Sequence, residues 1–324
     1  MPAPASLPIA LVLGAYLFAA TPAIAQTPSQ PPLEIVLPLT AGGLTDVSMR
    51  VLAERLGEKL DRNVLVLNKP GASGAIAARH VAQSAPDGNT LLAVTSSHTS
   101  VVPFAQPNAG FDPLQDFTPV GTVTKSPSVL YVHPSVPAEN LPEFIAHAKA
   151  NPGKLSYGTA GIGSFGHVAS EYLFREADVD LEMIPYQGGS RFTVALVAGE
   201  IDAVFTLPSG TFGQYVQDGK LKALGMSMPE PSPQLPGVPA LNQTLPGFEA
   251  VVWTGLLAPA QTPPEVVASL NQAIQDVLAE SDTRAKYESM GVQAAALSPQ
   301  EYRDEIVREH GRWQPLIEEL GLGG

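Results

Sequence analysis

A glycine-rich motif is the first feature that could carry chemistry. Residues 161–166 read GIGSFG, which matches G-x-G-x-x-G letter for letter. In a dinucleotide-binding turn, such glycines let backbone N–H groups approach a pyrophosphate, and an acidic residue about 20 positions later binds the ribose. The tip of the next predicted strand, Tyr186–Ser190, carries no acid, since Asp178 and Asp180 precede that strand. The motif therefore predicts an anion-binding turn without a dinucleotide, and no cofactor is expected.

Two further glycine-rich turns can present backbone amides in the same way. Thr40-Ala41-Gly42-Gly43 follows the predicted strand Leu33–Leu37 and precedes a predicted helix, and Tyr186–Ser190 follows another predicted strand. Glycines at a strand-to-helix turn leave N–H groups that an anion can bind. Loops at the C-terminal ends of strands in an open α/β sheet line its ligand crevice. The three turns together therefore predict one binding cleft.

Two charged residues stand beside these turns. Asp46 lies in the first turn of the helix after Gly43, where a carboxylate bonds loop or helix amides and interacts favourably with the helix dipole. We expect it to hold the loop in shape with its carboxylate turned from the ligand. Arg191 can bind a distal carboxylate of a diacid through its guanidinium. The alternative, which we favour, is an exposed arginine in the first turn of its helix.

Catalytic and metal-binding patterns are incomplete. The chain has no cysteine, which excludes a cysteine nucleophile and a cysteine metal site. His167 and Glu171, like Glu143 and His147, are spaced i, i+4, which indicates surface pairs rather than metal ligands. Ser164 and His167 fall short of a nucleophile–base–acid set, and no G-x-S-x-G elbow is present. We expect no enzyme and no metal, with a secreted hydrolase as a weaker alternative.

The N-terminal residues and the composition indicate an exported protein. Leu7–Ala20 is an apolar segment too short to span a bilayer, and Ala23-Ile24-Ala25 matches an A-x-A cleavage site. We predict a signal peptide at residues 1–25, cleaved after Ala25, and a periplasmic mature protein. The formal net charge of −13 argues against nucleic acid and anionic membrane surfaces as partners.

The elements that must position the turns alternate along the chain. Short apolar strands alternate with amphipathic stretches such as Asp46–Leu60, whose apolar residues recur on one face at Val47, Val51, Leu56 and Leu60. This alternation predicts a parallel, doubly wound sheet. The same pattern restarts after two strand-like stretches and predicts a second α/β lobe.

The C-terminal part of the chain is predominantly helical. Helices are predicted at Pro263–Glu280 and Pro299–Leu320, and each follows a predicted capping box that begins at Thr262 or Ser298. Too little strand is predicted here for a separate sheet. This tail is therefore expected to pack on the first lobe.

The chain thus predicts an α/β fold of two lobes, each a sheet flanked by helices. Lobe 1 takes residues 26–124 and 253–324, and lobe 2 takes residues 125–252. Two inter-lobe crossings follow from this division, near Thr124 and Val252. Two lobes joined by two crossings predict hinge closure on a ligand.

The sequence also resembles a known family. The segments that carry the resemblance run in order over nearly all of Leu33–Leu320 and read PLTAGGLTD, NKPGASGAIAA, APDGNTLL, FTPVGTV, VLYVHPSVPA, ANPGKLSYGTAGIGSFGH, IPYQGG, GEIDAVF and GLLAPAQTP. They resemble the Bug-type substrate-binding receptors of tripartite tricarboxylate transporters. The resemblance implies a periplasmic-binding-protein, or Venus flytrap, fold that captures a small mono-, di- or tricarboxylate, aromatic ones included.

The resemblance also implies which residues bind the ligand and which proteins the receptor works with. It implies that backbone amides at Thr40–Gly43 and Thr159–Ser164 hold a ligand carboxylate, and that Ser96–Ser97 and Tyr186–Ser190 line the same cleft. It implies membrane transporter subunits as partners, with a signalling kinase as the alternative, and we expect a monomer. The candidate ligand-binding residues are Thr40, Ala41, Gly42, Gly43, Thr45, Asp46, Ser96, Ser97, Thr159, Ala160, Gly161, Gly163, Ser164, Tyr186, Gly188, Gly189, Ser190 and Arg191.

Overall fold

Two β-sheets with helices packed against them organise the protein. The computed structural model describes residues 31–230 and 235–323. The predicted signal peptide at residues 1–25 lies outside this range. Within the described residues, no helix is both long enough and apolar enough to cross a membrane.

Strands and helices alternate through most of the chain. The described residues form eleven strands: β1 (Leu33–Leu37), β2 (Val64–Asn68), β3 (Thr90–Thr95), β4 (Phe117–Pro127), β5 (Val129–Val132), β6 (Ser156–Thr159), β7 (Glu182–Pro185), β8 (Ala203–Thr206), β9 (Lys222–Met226), β10 (Val251–Pro259) and β11 (Gln293–Ala294). They also form ten α-helices: α1 (Leu44–Leu60), α2 (Ala75–Ala82), α3 (Val102–Ala105), α4 (Leu141–Ala150), α5 (Phe165–Glu176), α6 (Gly189–Ala198), α7 (Gly210–Gln217), α8 (Pro264–Ala279), α9 (Ser281–Ser289) and α10 (Pro299–Glu319).

The first sheet is mixed, so the prediction of a parallel sheet holds for β1, β2 and β3 and is wrong for the strands added beyond them. Its strand order is β11-β4-β10-β3-β1-β2, with β1 parallel to both β2 and β3. β10 lies antiparallel between β3 and β4. Sequence periodicity misses β10 because all but one of its nine residues are buried, which removes the alternation of a half-exposed strand. The second sheet is also mixed, in the order β7-β6-β8-β5-β9.

The chain passes between the sheets twice. β4 belongs to the first sheet and β5 to the second, with Ser128 alone between them. The return lies between β9 and β10. These sheet boundaries fall within a few residues of the predicted crossings at Thr124 and Val252. The division into two lobes that move as units stays a prediction.

The apolar face predicted for α1 is partly wrong. Met49, Leu52 and Leu56 are fully buried in the core, whereas Val47 is 40% exposed. The reason lies in the first turn, where Asp46 is buried and bonded to Arg50, so that the neighbouring Val47 side chain faces solvent.

The two predicted capping boxes have different outcomes. Ser298 accepts a hydrogen bond from the Glu301 N–H while the Glu301 carboxylate accepts from the Ser298 N–H, so that box is confirmed. The box at Thr262 is wrong. The Thr262 hydroxyl instead donates to the Pro259 carbonyl, and α8 begins after Pro263 without a side-chain cap.

The last helix, α10, packs both on the first sheet and on a helix that covers the second sheet. Trp313 and Ile317 of α10 are fully buried in the core cluster that also holds Val168 and Leu173 of α5. The Trp313 ring packs edge-on against Phe165, with ring centroids 5.7 Å apart. Helix α10 therefore reaches from β4 to the helix that follows the GIGSFG turn.

Candidate functional site

The parallel strands bring the glycine-rich turns to common edges. β1, β2 and β3 run parallel, so the loops that follow them leave one edge of the first sheet. β6 is parallel to β7 and to β8, so the loops after these strands share one edge of the second sheet. Such edges are where open α/β sheets bind ligands.

Asp46 is the structural anchor of the first turn. Its carboxylate is buried and accepts hydrogen bonds from the Gly42 N–H (2.9 Å), from the Arg50 Nη2 (2.9 Å) and from the Asn68 Nδ2 (2.9 Å). The hydrogen bond from Arg50, aided by those from Gly42 and Asn68, lowers the pKa of Asp46 to about 2 against its burial. Gly42 has φ +87°, a left-handed conformation that favours glycine. The Asp46 carboxylate is thus bonded to the first turn through Gly42, to α1 through Arg50 and to β2 through Asn68.

This arrangement leaves other amides of the first turn open. The N–H groups of Thr40, Ala41 and Gly43 donate to no described residue. All three residues are exposed, and Thr45 beside them is half-buried. Because Arg50 compensates the charge of Asp46, the turn presents donors to solvent without an opposing carboxylate.

The second turn is held together by its own side chains. The Gly161 N–H donates to Thr159 Oγ1 (3.2 Å), and the Gly163 N–H donates to His167 Nδ1 (3.2 Å). Ser164 is the N-cap of α5 and accepts from the His167 N–H. The amides of Ala160 and Ile162 donate to no described residue, and both residues are exposed.

The expected surface pair of His167 and Glu171 is wrong. His167 is only 6% exposed, and burial lowers the pKa of its ring. Its Nδ1 is engaged by Gly163, and Nε2 lies 4.0 Å from Glu171, which itself bonds the Tyr157 hydroxyl. The ring therefore stabilises the turn, and its Nδ1 is occupied by the Gly163 N–H. His167 lies four residues after Gly163, so its ring can fold back over the start of α5 and accept the Gly163 N–H, which places it in the interior.

The third turn is partly bonded within itself, but the N–H groups of Gln187, Gly189 and Ser190 donate to no described residue. The Tyr186 N–H donates to the Thr159 carbonyl (2.9 Å), and the Gly188 N–H donates to the Tyr186 carbonyl (3.0 Å). Gly189 and Ser190 begin α6 and are exposed, and so is Arg191.

The two predicted cleft residues after β3, Ser96 and Ser97, differ in burial. Ser96 is buried, and its hydroxyl accepts from the Trp253 N–H of β10 (2.8 Å). Ser97 is half-buried and begins a π-helical turn, Ser97–Val101. Ser96 is therefore directed into the protein, where it joins the turn to the returning strand.

A buried carboxyl group beneath this turn was not predicted from the sequence. Glu309 of α10 is 2% exposed and accepts a hydrogen bond from Ser100 (2.7 Å). Burial raises its pKa to about 8, partly opposed by hydrogen bonds from Ser100 and Ser96 and increased by the charge of Glu305. In sequence it looks like an ordinary polar residue of a surface helix, since only the tertiary fold covers it.

A cavity of about 490 Å³ opens beside the first and third turns. Its walls come from Leu44 at the start of α1, from the segment between Thr206 and Tyr215, and from five residues of α6, namely Gly189, Ser190, Phe192, Thr193 and Val194. The segment Leu207–Ser209 is the part that sequence reasoning missed. The Pro208-Ser209-Gly210 sequence after a strand was the available signal, since Ser209 is the N-cap of α7 and accepts from Phe212.

The loop after β2 was not among the predicted binding residues, and its backbone conformation was not predicted. Ala72 and Ser73 both have positive φ, 47° and 51°, between Gly71 and Gly74. The Ser73 hydroxyl bonds the Gln106 side chain. This loop leaves the same sheet edge as the Thr40–Gly43 turn. Within the described residues, no group of His, Asp and Glu side chains has the arrangement of a metal site.

Comparison with known proteins identifies the family. A family model described as a tripartite tricarboxylate transporter family receptor matches residues 48–322. Protein BugT of Bordetella pertussis is 31% identical over 305 residues, which cover 93% of this chain and 93% of BugT. This similarity confirms the resemblance to Bug-type receptors.

Two solved structures show the same architecture. Rpa4515 of R. palustris, solved with adipate, superposes with a TM-score of 0.77 at 28% identity, covering 90% of this chain and 98% of that one. MatC of Rhodopseudomonas palustris, solved with bound malate, gives a TM-score of 0.73 at 30% identity, covering 88% and 98%. They confirm the predicted two-lobed periplasmic-binding-protein fold. On the match of the family model and of these relatives, the chain belongs to the tripartite tricarboxylate transporter receptor family.

Proposed function

We propose that this protein is a periplasmic receptor that binds a small carboxylate between its two sheets and releases it unchanged to a membrane transporter. The observation that carries the proposal is the set of N–H groups without a described acceptor on two turns, each of which follows a parallel strand, one in each sheet. These are Thr40, Ala41 and Gly43 in the first turn and Ala160 and Ile162 in the second. The adipate and malate bound by the two similar structures support a carboxylate as the ligand class.

Within the predicted set of binding residues, we separate those whose N–H groups are already bonded from those whose N–H groups are open. Gly42, Gly161 and Gly163 donate to Asp46, Thr159 and His167, so these residues shape the turns. We assign ligand contact to the neighbouring open amides instead. An anion held by amide dipoles in a partly dry cleft needs no cationic side chain, so the net charge of −13 slows association of an anion but does not prevent its binding.

The test uses Gly43, which occupies the N-cap of α1 with φ −76° and ψ 166°. Any residue adopts this conformation, and a side chain here meets nothing closer than the Thr40 carbonyl, 4.0 Å from the added Cβ. Gly43→Asp and Gly43→Asn both introduce favourable N-cap residues, so both variants should fold. Only the Asp variant places a negative charge beside the open amides.

We expect Gly43→Asp to bind carboxylates at least about tenfold more weakly than Gly43→Asn, because like charges a few ångströms apart repel by more than 1 kcal/mol. Isothermal titration with malate, adipate, citrate and benzoate gives the affinities, and recovery of the ligand unchanged after incubation tests the absence of turnover. Equal affinities of the two variants would remove the first turn from the site. Failure of every carboxylate to bind the unmodified protein would reject the receptor proposal.

A further inference from the structure

The turn after β3 has an unusual backbone and lies at the proposed binding edge. Ser97–Val101 form a π-helical turn, a rare conformation that is frequent at functional sites. Because β3 runs parallel to β1, this turn leaves the same sheet edge as the Thr40–Gly43 turn with its open N–H groups. Ser97, its first residue, is one of the predicted cleft residues and is half-buried. The position of this turn therefore bears on the proposed carboxylate site.

Helix α10 holds the turn through two adjacent residues. The Glu309 carboxyl accepts a hydrogen bond from the Ser100 hydroxyl (2.7 Å) and also interacts with the Ser96 hydroxyl. His310 bonds the Thr99 carbonyl through Nε2 (2.6 Å). These contacts hold the turn at its start and near its end, so a change at Glu309 reaches the cleft residues.

The same helix also contacts the element that follows the second binding turn. One helical turn after Glu309, Trp313 packs edge-on against Phe165, with ring centroids 5.7 Å apart. Phe165 begins α5 directly after Ser164, the last residue of the second turn. Helix α10 therefore connects the proposed binding edges of both sheets.

The Glu309 carboxyl is buried without a cationic partner. It is 2% exposed, and none of the described Lys, Arg or His side chains forms an ion pair with it. The charged groups of α10 that act on it are Glu305, which disfavours a negative charge at Glu309, and Arg312, which favours one. Arg312 donates to Glu249 (3.2 Å), and Arg308 pairs with Glu305, so both cations serve other carboxylates.

The other titratable groups around Glu309 do not compensate its charge. The Tyr302 hydroxyl of α10 is buried, and its pKa is raised by burial and by the charge of Glu309. In the turn itself, His98 is buried, and burial lowers its pKa to about 4. Burial raises the pKa of Glu309 to about 8, so its carboxyl keeps a proton at neutral pH.

We propose that Glu309 is a positioning residue of the carboxylate site: its protonated carboxyl holds the π-helical turn in the binding conformation, and loss of the proton weakens ligand binding. A negative charge at this buried position is stabilised only by water or by a displaced turn, and either change moves the cleft residues. The charge also repels a bound anion. The inference rests on the proposed function and adds a proton dependence to the same site.

The pH dependence of ligand affinity tests the inference. Isothermal titration uses malate, adipate and benzoate at pH 6, 7, 8 and 9, because carboxyl groups with pKa values of about 4 stay ionised throughout this range. We expect the affinity of the unmodified protein to fall at least about fivefold between pH 6 and pH 9. Glu309→Gln keeps the shape of the side chain without a titratable proton, so its affinity should change less than about twofold. Glu319→Gln, at an exposed pair with Arg175, is the matched control and should follow the unmodified protein.

Ser100→Ala supplies a second readout. The Ser100 hydroxyl donates to Glu309 and lowers its pKa, so removal of this hydroxyl should make the proton harder to lose. We expect the fall in affinity to move to higher pH in this variant, whatever its affinity at pH 6. A hydroxyl with only a structural role would change the affinity equally at every pH and would leave the midpoint of the fall in place.

The outcomes separate this inference from the receptor proposal. If none of the carboxylates binds, the receptor proposal fails and this inference falls with it. If they bind and the ratio of the affinities of Glu309→Gln and the unmodified protein stays constant from pH 6 to pH 9, the receptor proposal stands and the positioning role of Glu309 is overturned. An unmoved midpoint in Ser100→Ala would overturn the assignment of the decline to Glu309.

Discussion

At the scale of single residues, the structure separates groups that shape the turns from groups that are open to a ligand. Asp46 and His167 each accept a hydrogen bond from a glycine N–H of a binding turn, at Gly42 and Gly163. Both therefore stabilise a backbone conformation that an unsupported loop would not keep. The open donors include Gly43 and the neighbouring amides of Thr40, Ala41, Ala160 and Ile162, and the sequence motif does not distinguish them from the bonded amides of Gly42 and Gly163.

The pKa of Asp46 leads to a stability prediction. Its folded-state pKa of about 2 lies below the ordinary value of 3.8, so its contribution is complete above pH 3.8 and disappears as the pH falls through 2. We expect Asp46→Asn to lower the free energy of unfolding by about 1–2 kcal/mol at pH 7. The difference between the two proteins should shrink as the pH falls from 4 to 2.5. Urea unfolding across this pH range measures it.

Asp276→Asn is the matched control for Asp46. Asp276 pairs with Lys59 at 2.7 Å, but both side chains are about 40% exposed. Solvent screens such a pair, so its loss should leave the free energy of unfolding unchanged within error. Equal losses in the two variants would contradict the structural role of Asp46.

At the scale of elements, local sequence signals succeed where the bonded groups are neighbours in the chain. The Ser298 capping box is such a case, since all its partners lie within one helical turn. Thr262 has the same spacing to Glu265, yet its hydroxyl bonds the Pro259 carbonyl because that group lies within reach in the turn before α8. Strand β10 is the opposite case. Its hydrogen-bond partners are β3 and β4, which are distant in sequence, so no local signal predicts it.

The N-cap of α10 supports a prediction at this scale. Ser298→Ala removes the acceptor for the Glu301 N–H and should lower the free energy of unfolding by about 1 kcal/mol. Ser298→Asp keeps an acceptor at the N-cap and should stay within a few tenths of a kcal/mol of the unmodified protein. Urea unfolding followed by circular dichroism distinguishes the two. A Ser298→Ala variant as stable as Ser298→Asp would contradict the contribution of the cap.

At the scale of the whole molecule, Glu309 connects parts that are distant in sequence. It lies on α10 and bonds Ser100 in the π-helical turn after β3, while the adjacent His310 bonds the Thr99 carbonyl through Nε2 (2.6 Å). Its folded-state pKa of about 8 exceeds the ordinary 4.5, so the folded protein keeps a proton that the unfolded chain releases. This contribution to stability is therefore complete below pH 4.5 and declines as the pH rises to 8.

We expect Glu309→Gln to remove this decline. The variant should match the unmodified protein near pH 4.5 and exceed its free energy of unfolding by about 1–3 kcal/mol at pH 9, since a buried amide carries no charge. Glu319→Gln, at an exposed pair with Arg175, should show no pH-dependent difference. Urea unfolding at pH 5, 7 and 9 measures all three proteins. Parallel stability profiles for Glu309→Gln and the unmodified protein would contradict a protonated Glu309.

The sequence by itself determined the alternation of strands and helices, the turns that carry the glycines, the passage between two sheets and the family. These features depend on local periodicity, on residues that tolerate positive φ and on motifs that are contiguous in the chain. Only the tertiary structure decided which amides remain open, that the His167 ring is buried, and that Glu309 is buried. It also decided that Leu44 and the segment after β8 share one cavity. Each of these depends on contacts between residues far apart in sequence, and burial changes the charge and hydrogen bonding of a side chain in ways that its type does not specify.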